Sequence, residues 1–280
     1  MAKYNTILTC LLALFICASP LHAQEKRYCT AVSPTPVLNT PDFSSVFGGR
    51  DGRSVKVDKT GLIREMEFIA FPGTVFEIDA GYDYGGYKIL RVRTNDYPYN
   101  KKKLYIDSRF VKYEDTRPPD RNKKLPSRRN IIAGLRSMEG YPYMWGGNFC
   151  RGIDQMTEFY KPRRKISDKT SRLWKLEGVD CSGLLYQAGG GCTPRNTSSL
   201  KTFGENIEIS GLTPEKISLV VEPLDLIVMP GHVVIVLDKN TTIESSSDKG
   251  VHRTGLTDRL RSLAASGKKF VIRRWHNISP

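Results

Sequence analysis

Asp180-Cys181-Ser182-Gly183-Leu184-Leu185 sets a thiol between a carboxylate and a small Ser-Gly pair, directly before an apolar run able to start a helix. A thiol at a helix N-terminus faces the positive end of the helix dipole. The arrangement therefore predicts a lowered pKa and a thiolate, the nucleophilic form. About fifty residues on, Pro230-Gly231-His232 opens the apolar run 233–237, so an imidazole begins a strand. An imidazole within reach of a thiol can take its proton and later return it to a leaving group. After residue 23 the chain has His232, His252 and His276, and His232 alone opens a long apolar strand after a turn. The bland alternatives are a buried structural cysteine and an ordinary strand histidine.

A third group should orient the ring through its second nitrogen, and Glu244 is the candidate. Parity makes this testable. If Asp238-Lys239-Asn240 is a three-residue loop, 237 pairs with 241 and 234 with 244, and Glu244 shares the face of His232. A two-residue loop turns Glu244 to the opposite face. Upstream, Tyr143-Met144-Trp145-Gly146-Gly147 offers two aromatics to line a cleft and two glycines that let backbone approach a substrate. Trp145 can equally be core. Asp180 and Ser182 can bond a substrate amine or amide, and Asp180 can equally cap the helix. No HExxH, spaced Cys/His pair or calcium loop is present, so neither a metal nor a cofactor is expected.

The elements that must position these groups fall into two parts. Residues 28–114 hold short β-branched and aromatic segments at 55–57, 73–78, 87–93 and 103–113, separated by glycine and Asn-Asp turns. About five short strands suggest a small barrel. Residues 115–126, with Pro118, Pro119, Pro126 and heavy charge, read as a linker. Ser127 then caps a helix through 138, with Ile131, Ile132, Leu135 and Met138 on one face and Gly140 at its end. The polar stretch 148–177 is expected to be an insertion near the site or a flexible cover. A helix from 181 to about 188 stops at Gly189-Gly190-Gly191, and strands follow at 224–229, 231–237, 241–245 and 270–275. Helices leading into antiparallel strands make an α+β domain.

Residues 1–23 read as a secretory signal peptide: Lys3, an apolar run from Ile7 to Ala18, and Leu21-His22-Ala23 before the cut. A lipid-modified Cys17 is the less favoured alternative, since bulky Phe15-Ile16 precede it. No later segment is long and apolar enough for a membrane helix. The chain is therefore expected to be exported, to the periplasm or beyond, and monomeric. Lys and Arg total 43 against 29 Asp and Glu, a formal net charge of +14. Such a surplus suits an anionic polymer or simply aids solubility. No zinc finger, P-loop or RNP motif accompanies it, so nucleic acid is not an expected partner. Cys29, Cys150, Cys181 and Cys192 follow the signal. A catalytic Cys181 must stay free, so at most one disulfide is possible among the other three, and none is the favoured reading.

Together the motifs Tyr143–Gly147, Asp180–Leu184 and Gly231-His232-Val233 resemble those of the NlpC/P60 cell-wall cysteine peptidases, and Thr193-Pro194-Arg195 resembles the Pro-Arg segment after that family's catalytic helix. The match spans about residues 127–275. The first part resembles a bacterial SH3-like module, a layout similar to chlamydial members. The resemblance implies a papain-like peptidase domain over 127–280 that cuts peptidoglycan stem peptides. The expected bond joins γ-D-glutamate to a diamino acid, meso-diaminopimelate or L-lysine. It maps the catalytic Cys and His onto Cys181 and His232, and the third polar residue, commonly His, onto Glu244. Tyr143, Trp145, Asp180, Ser182, Arg195 and Asn196 become substrate-binding candidates. Asn196 and Leu200 depart from residues common in members that demand a free N-terminal L-alanine. Alternatives are an N-acetylmuramoyl-L-alanine amidase with the same residues, and a non-catalytic wall-binding protein.

Overall fold

The computed structural model describes residues 27–98 and 102–276. The expected signal peptide lies outside the described residues. Two antiparallel sheets dominate. The first curls as a half-barrel of seven strands, in the order Met66–Ala70, Thr35–Leu38, Leu104–Asp107, Lys88–Arg93, Val75–Asp83, Tyr28–Ala31 and Val111–Glu114. Three of these, Tyr28–Ala31, Thr35–Leu38 and Met66–Ala70, were not legible as strands. Thr35–Leu38 carries a proline, and Met66–Ala70 is buried at every position, so neither shows period-two alternation. The expected segment 103–113 is broken by a 3-10 turn, Ser108–Phe110, capped by the Asp107 carboxylate. At 55–57 only Ser54–Val55 is strand, paired with Phe47–Gly48.

The second sheet orders Glu205–Ile207, Val271–Arg274, Leu226–Met229, His232–Val236, Thr241–Ser246 and Gly250–Gly255. Helices cover both of its faces, giving an α+β fold. On one side helices Arg128–Ser137 and Cys181–Ala188 pack Ile131, Leu135, Leu184 and Leu185 over Val228, Val233, Ile235 and Ile243. On the other, helices Pro214–Val220 and Leu256–Ala265 bring Ile217, Leu256, Leu260 and Leu263 to Ile227, Val234 and Val236. Burial on both faces is why the central strands read as unbroken apolar runs. Each such aliphatic side chain contributes about 1.5–3 kcal/mol on leaving water.

The stretch 148–177 is neither loose nor a cover. It folds into helices Gln155–Phe159 and Asp168–Trp174, whose Met156, Tyr160 and Trp174 share one core with Leu38, Phe43, Phe47 and Met66 of the half-barrel. Trp174 is fully buried and its Nε1–H donates to the Tyr160 carbonyl at 2.9 Å. The Tyr160 hydroxyl donates to Asp107 Oδ2 at 2.5 Å. The Arg109 guanidinium lies 3.7 Å over the Tyr87 ring and 4.5 Å over Phe159. Helices of five and seven residues are too short to display a helical period, and the basic run 161–165 masked them further. The charged segment 115–126 has no regular structure, as its composition implied. It is nonetheless tied down: Arg121 donates to Asp96 Oδ2 at 3.1 Å and to the Gly190 carbonyl at 3.1 Å.

Candidate active site

Asp180 starts the Cys181 helix. Its Oδ1 accepts the Gly183 N–H at 2.7 Å, satisfying one of the donors that a helix start leaves open. Its backbone N–H donates to the Gly147 carbonyl at 2.9 Å, and Oδ2 accepts the Gly146 N–H at 3.1 Å. Arg195 closes the same carboxylate from the other side, with Nη1 to Oδ1 at 2.9 Å and Nη2 to Oδ2 at 2.8 Å. Its Nη2 also reaches the Gly147 carbonyl at 3.0 Å and Nη1 the Ser182 hydroxyl at 2.9 Å, while that hydroxyl donates to the Arg195 carbonyl at 2.7 Å. Arg195 Nε donates to Asn148 Oδ1 at 3.2 Å. Asn148 in turn accepts from the Ile69 N–H at 2.9 Å and donates to the Ile69 carbonyl at 2.8 Å, occupying the open edge of the half-barrel. Asp180, Ser182 and Arg195 are thus buried and engaged with one another, in a network that holds the Cys181 helix to the first sheet. These polar atoms already have protein partners where the sequence reading gave them a substrate.

Gly183 is required by close approach. A Cβ there would collide with the Gly147 carbonyl, the same oxygen that accepts from Asp180 and Arg195. Gly183→Ala is expected to cost about 1–3 kcal/mol, the usual range for overpacking. Urea denaturation of the purified variant checks this, with an unchanged midpoint as the contrary result.

The Cys181 thiol departs from expectation. Only 6% of the residue is exposed. Burial first, then the neighbouring Asp180 carboxylate, pushes its pKa up to about 12, against the opposing pull of the Val233 N–H, Arg195 and the Ser182 N–H. The helix start favours the thiolate but is outweighed, because desolvation of a buried thiolate exceeds what one helix terminus returns. Val233, whose N–H favours the thiolate, follows His232 directly, so the thiol lies near the start of the His232 strand. No direct hydrogen bond joins the two side chains in this structure.

His232 and Glu244 do meet. The strands pair Ile235 with Ile243 and Val236 with Thr242, and the Leu237 N–H donates to the Thr241 carbonyl, closing a three-residue loop. His232 Nε2 lies 2.6 Å from Glu244 Oε2. An ionised carboxylate only accepts, so Nε2 carries the proton and Nδ1 is left as the basic nitrogen. Two further groups converge on Glu244. Arg259 donates from Nε to Oε1 at 2.6 Å and from Nη2 to Oε2 at 2.8 Å. His252, cross-strand partner of Glu244, brings its Nε2 to 3.9 Å from Oε1. Burial alone would raise the Glu244 pKa; the bonds from His232 and Arg259 outweigh it and hold the carboxyl below its ordinary range.

The two halves contribute further residues. Tyr143 is half-buried, and its phenol is kept neutral by burial first and then by the nearby Asp180 and Cys181. Trp145 is half-buried under the Arg64 guanidinium, 4.3 Å from the ring centre, and Arg64 comes from the first half. Asn196 Oδ1 accepts from the Tyr97 hydroxyl at 3.4 Å, again across the two halves. The four described cysteines are all free, and no group of His, Cys, Asp and Glu among the described residues is arranged to hold a metal ion. Among the described residues no helix is long and apolar enough to cross a membrane. Sequence reasoning missed Arg259, His252 and Asn148. The spacing of Leu256, Leu260 and Leu263 was the available signal for the helix that carries Arg259.

No family model matches the sequence, and no curated protein matches it. Among solved structures, this chain is similar to the crystal structure of an NlpC/P60 family protein from Bacillus cereus, with 16% identity and a TM-score of 0.34, over 89% of this chain and 64% of that chain. The chain thus spans less than two thirds of the length of that protein.

Proposed function

We propose that this chain is a cysteine peptidase acting on the stem peptides of peptidoglycan, at the γ-D-glutamyl–diamino acid bond. The reading rests on one observation. A helix-initiating thiol lies near the first residues of a strand whose His232 holds its Nε2 at 2.6 Å from a buried carboxylate. In this reading Cys181 Sγ attacks the scissile carbonyl as His232 Nδ1 takes its proton, and Glu244 stabilises the imidazolium. The amine leaves with that proton, a thioester remains, and water activated by the same ring releases the acid. The Cys181 N–H, at the open first turn of its helix, serves the oxyanion. Burial keeps the thiol protonated at rest, so His232 has to take its proton for attack to occur. In this reading the thiol–imidazole contact forms as substrate binds. Tyr143 and Trp145 wall the cleft, and Asn196 lies at its edge. Residues 28–114 act as an SH3-like module, 115–126 as the connection and 127–280 as the catalytic part of a protein exported after loss of 1–23.

The raised thiol pKa and the open thiol–imidazole contact favour one rival, a wall-binding protein without catalysis. Digestion of a panel of defined muropeptides, with product masses, decides among the readings. Release of a diamino-acid peptide supports the proposal. Release of free muramic acid ends indicates an amidase, and binding without products indicates the rival. Labelling by iodoacetamide near neutral pH is the companion measurement. Cys181, buried and protonated at rest, is expected to react slowly, and His232→Ala is expected to slow it further. Equal rates in both proteins would remove His232 from the chemistry.

A further inference from the structure

We propose that Arg259 is a positioning residue of this site, clamping the Glu244 carboxylate so that one of its oxygens faces His232 Nε2. The inference rests on the thiol–imidazole reading above and extends it to a residue outside every motif that suggested it. The geometry is a two-pronged fork: Nε to Oε1 at 2.6 Å and Nη2 to Oε2 at 2.8 Å. Two parallel bonds set both the position and the plane of a carboxylate, where a single bond sets neither. Oε2 is then shared between Arg259 Nη2 and His232 Nε2.

The fold holds the fork in place. Strand Gly250–Gly255 pairs with the strand of Glu244 along its whole length and runs directly into helix Leu256–Ala265. The Leu256 N–H donates to the Asn240 carbonyl at 2.8 Å, and Leu256, Leu260 and Leu263 are sunk in the core. Arg259 therefore has little freedom to leave. Glu244 is 3% exposed and the Arg259 side chain 20%, so water does not screen the pair strongly. The thiol comes from the helical layer on one face of the sheet and Arg259 from the layer on the other, and strand alternation puts His232 on the face of Val234, the face that Arg259 and Glu244 share.

Arg259 has a consequence beyond packing. A buried carboxyl without a cation beside it takes up a proton more readily, and a protonated carboxyl no longer demands the Nε2–H tautomer of the ring. The other charged groups near Glu244 do not replace the fork. His252 stands at 3.9 Å, and Asp248, Lys249 and Asp258 only line a hollow of about 230 Å³ behind the carboxylate.

The test compares Arg259→Met, Arg259→Lys and Glu244→Gln in the full chain. Two readouts are used: the pH dependence of muropeptide cleavage, and the His232 ring nitrogens in long-range proton–nitrogen spectra, assigned against His232→Gln. Arg259→Met is expected to lower kcat about 10- to 100-fold with little change in KM, as loss of an outer orienting partner typically does. The acid limb is expected to move to higher pH, and the ring to lose its single Nε2–H tautomer. Arg259→Lys keeps the charge and loses the fork, so kcat is expected to fall while the acid limb stays. Wild-type kcat, acid limb and ring signals in Arg259→Met overturn the inference. If that variant does not fold, wild-type kcat and ring signals in Arg259→Lys overturn it instead. An inert wild-type enzyme on the muropeptide panel defeats the proposed function alone, because the ring spectra still decide whether Arg259 orients His232.

Discussion

Cys181→Ala is expected to abolish hydrolysis of stem peptides, lowering kcat by at least about 10⁴-fold, since removing the nucleophile of a thiol or serine hydrolase leaves only binding and oxyanion stabilisation. The fold is expected to survive. The helix start depends on the Asp180 carboxylate and the Gly183 N–H, not on the sulfur. Cys181 is a buried member of the core with Leu184, Leu185, Val233 and Ile235, and the substitution removes only its sulfur from that aliphatic packing. Initial rates on a defined muropeptide, alongside a thermal melt, make the measurement. A melt close to wild type with activity gone is the expected pair of results. Residual activity within tenfold of wild type would show that the sulfur forms no covalent intermediate. Muropeptide binding to the variant should persist, because Tyr143 and Trp145, the proposed walls of the site, are untouched.

Arg195→Met is expected to destabilise the protein by about 3–5 kcal/mol, the usual cost of stripping one partner from a buried ion pair. Arg195 is 6% exposed and, among the described residues, supplies the cationic contacts to the Asp180 carboxylate, together with bonds to Gly147, Ser182 and Asn148. Methionine fills the space but leaves Asp180 charged and unneutralised beneath the Cys181 helix, and it releases Asn148 from its link to that helix. Denaturant titration measures the loss. A role confined to substrate contact predicts the opposite pattern, a raised KM with stability unchanged, and a loss under about 1 kcal/mol would favour it. The same substitution is expected to weaken the hold of the two halves on each other, because Arg195 meets Asn148, and Asn148 meets Ile69 of the half-barrel.

What the residues announced about this protein was local. Cys181 before a short helix, His232 at the head of an apolar strand, and Glu244 twelve positions later follow from motif spacing and the two-residue period of a strand. The three-residue loop decided the face of Glu244, and its Asp-Lys-Asn composition was readable in advance. Tertiary structure decided what no neighbour along the chain encodes. Burial of the thiol reversed the predicted direction of its pKa, because desolvation depends on how many distant segments close over an atom. Asp180, Ser182 and Arg195 became each other's partners once the segment around 195 folded back against the helix start. The stretch 148–177 looked polar and aimless until the half-barrel supplied an apolar surface for Tyr160 and Trp174. Arg259 could not be linked to Glu244 from spacing, since the fork forms only when a strand and the helix after it fold back beside the carboxylate.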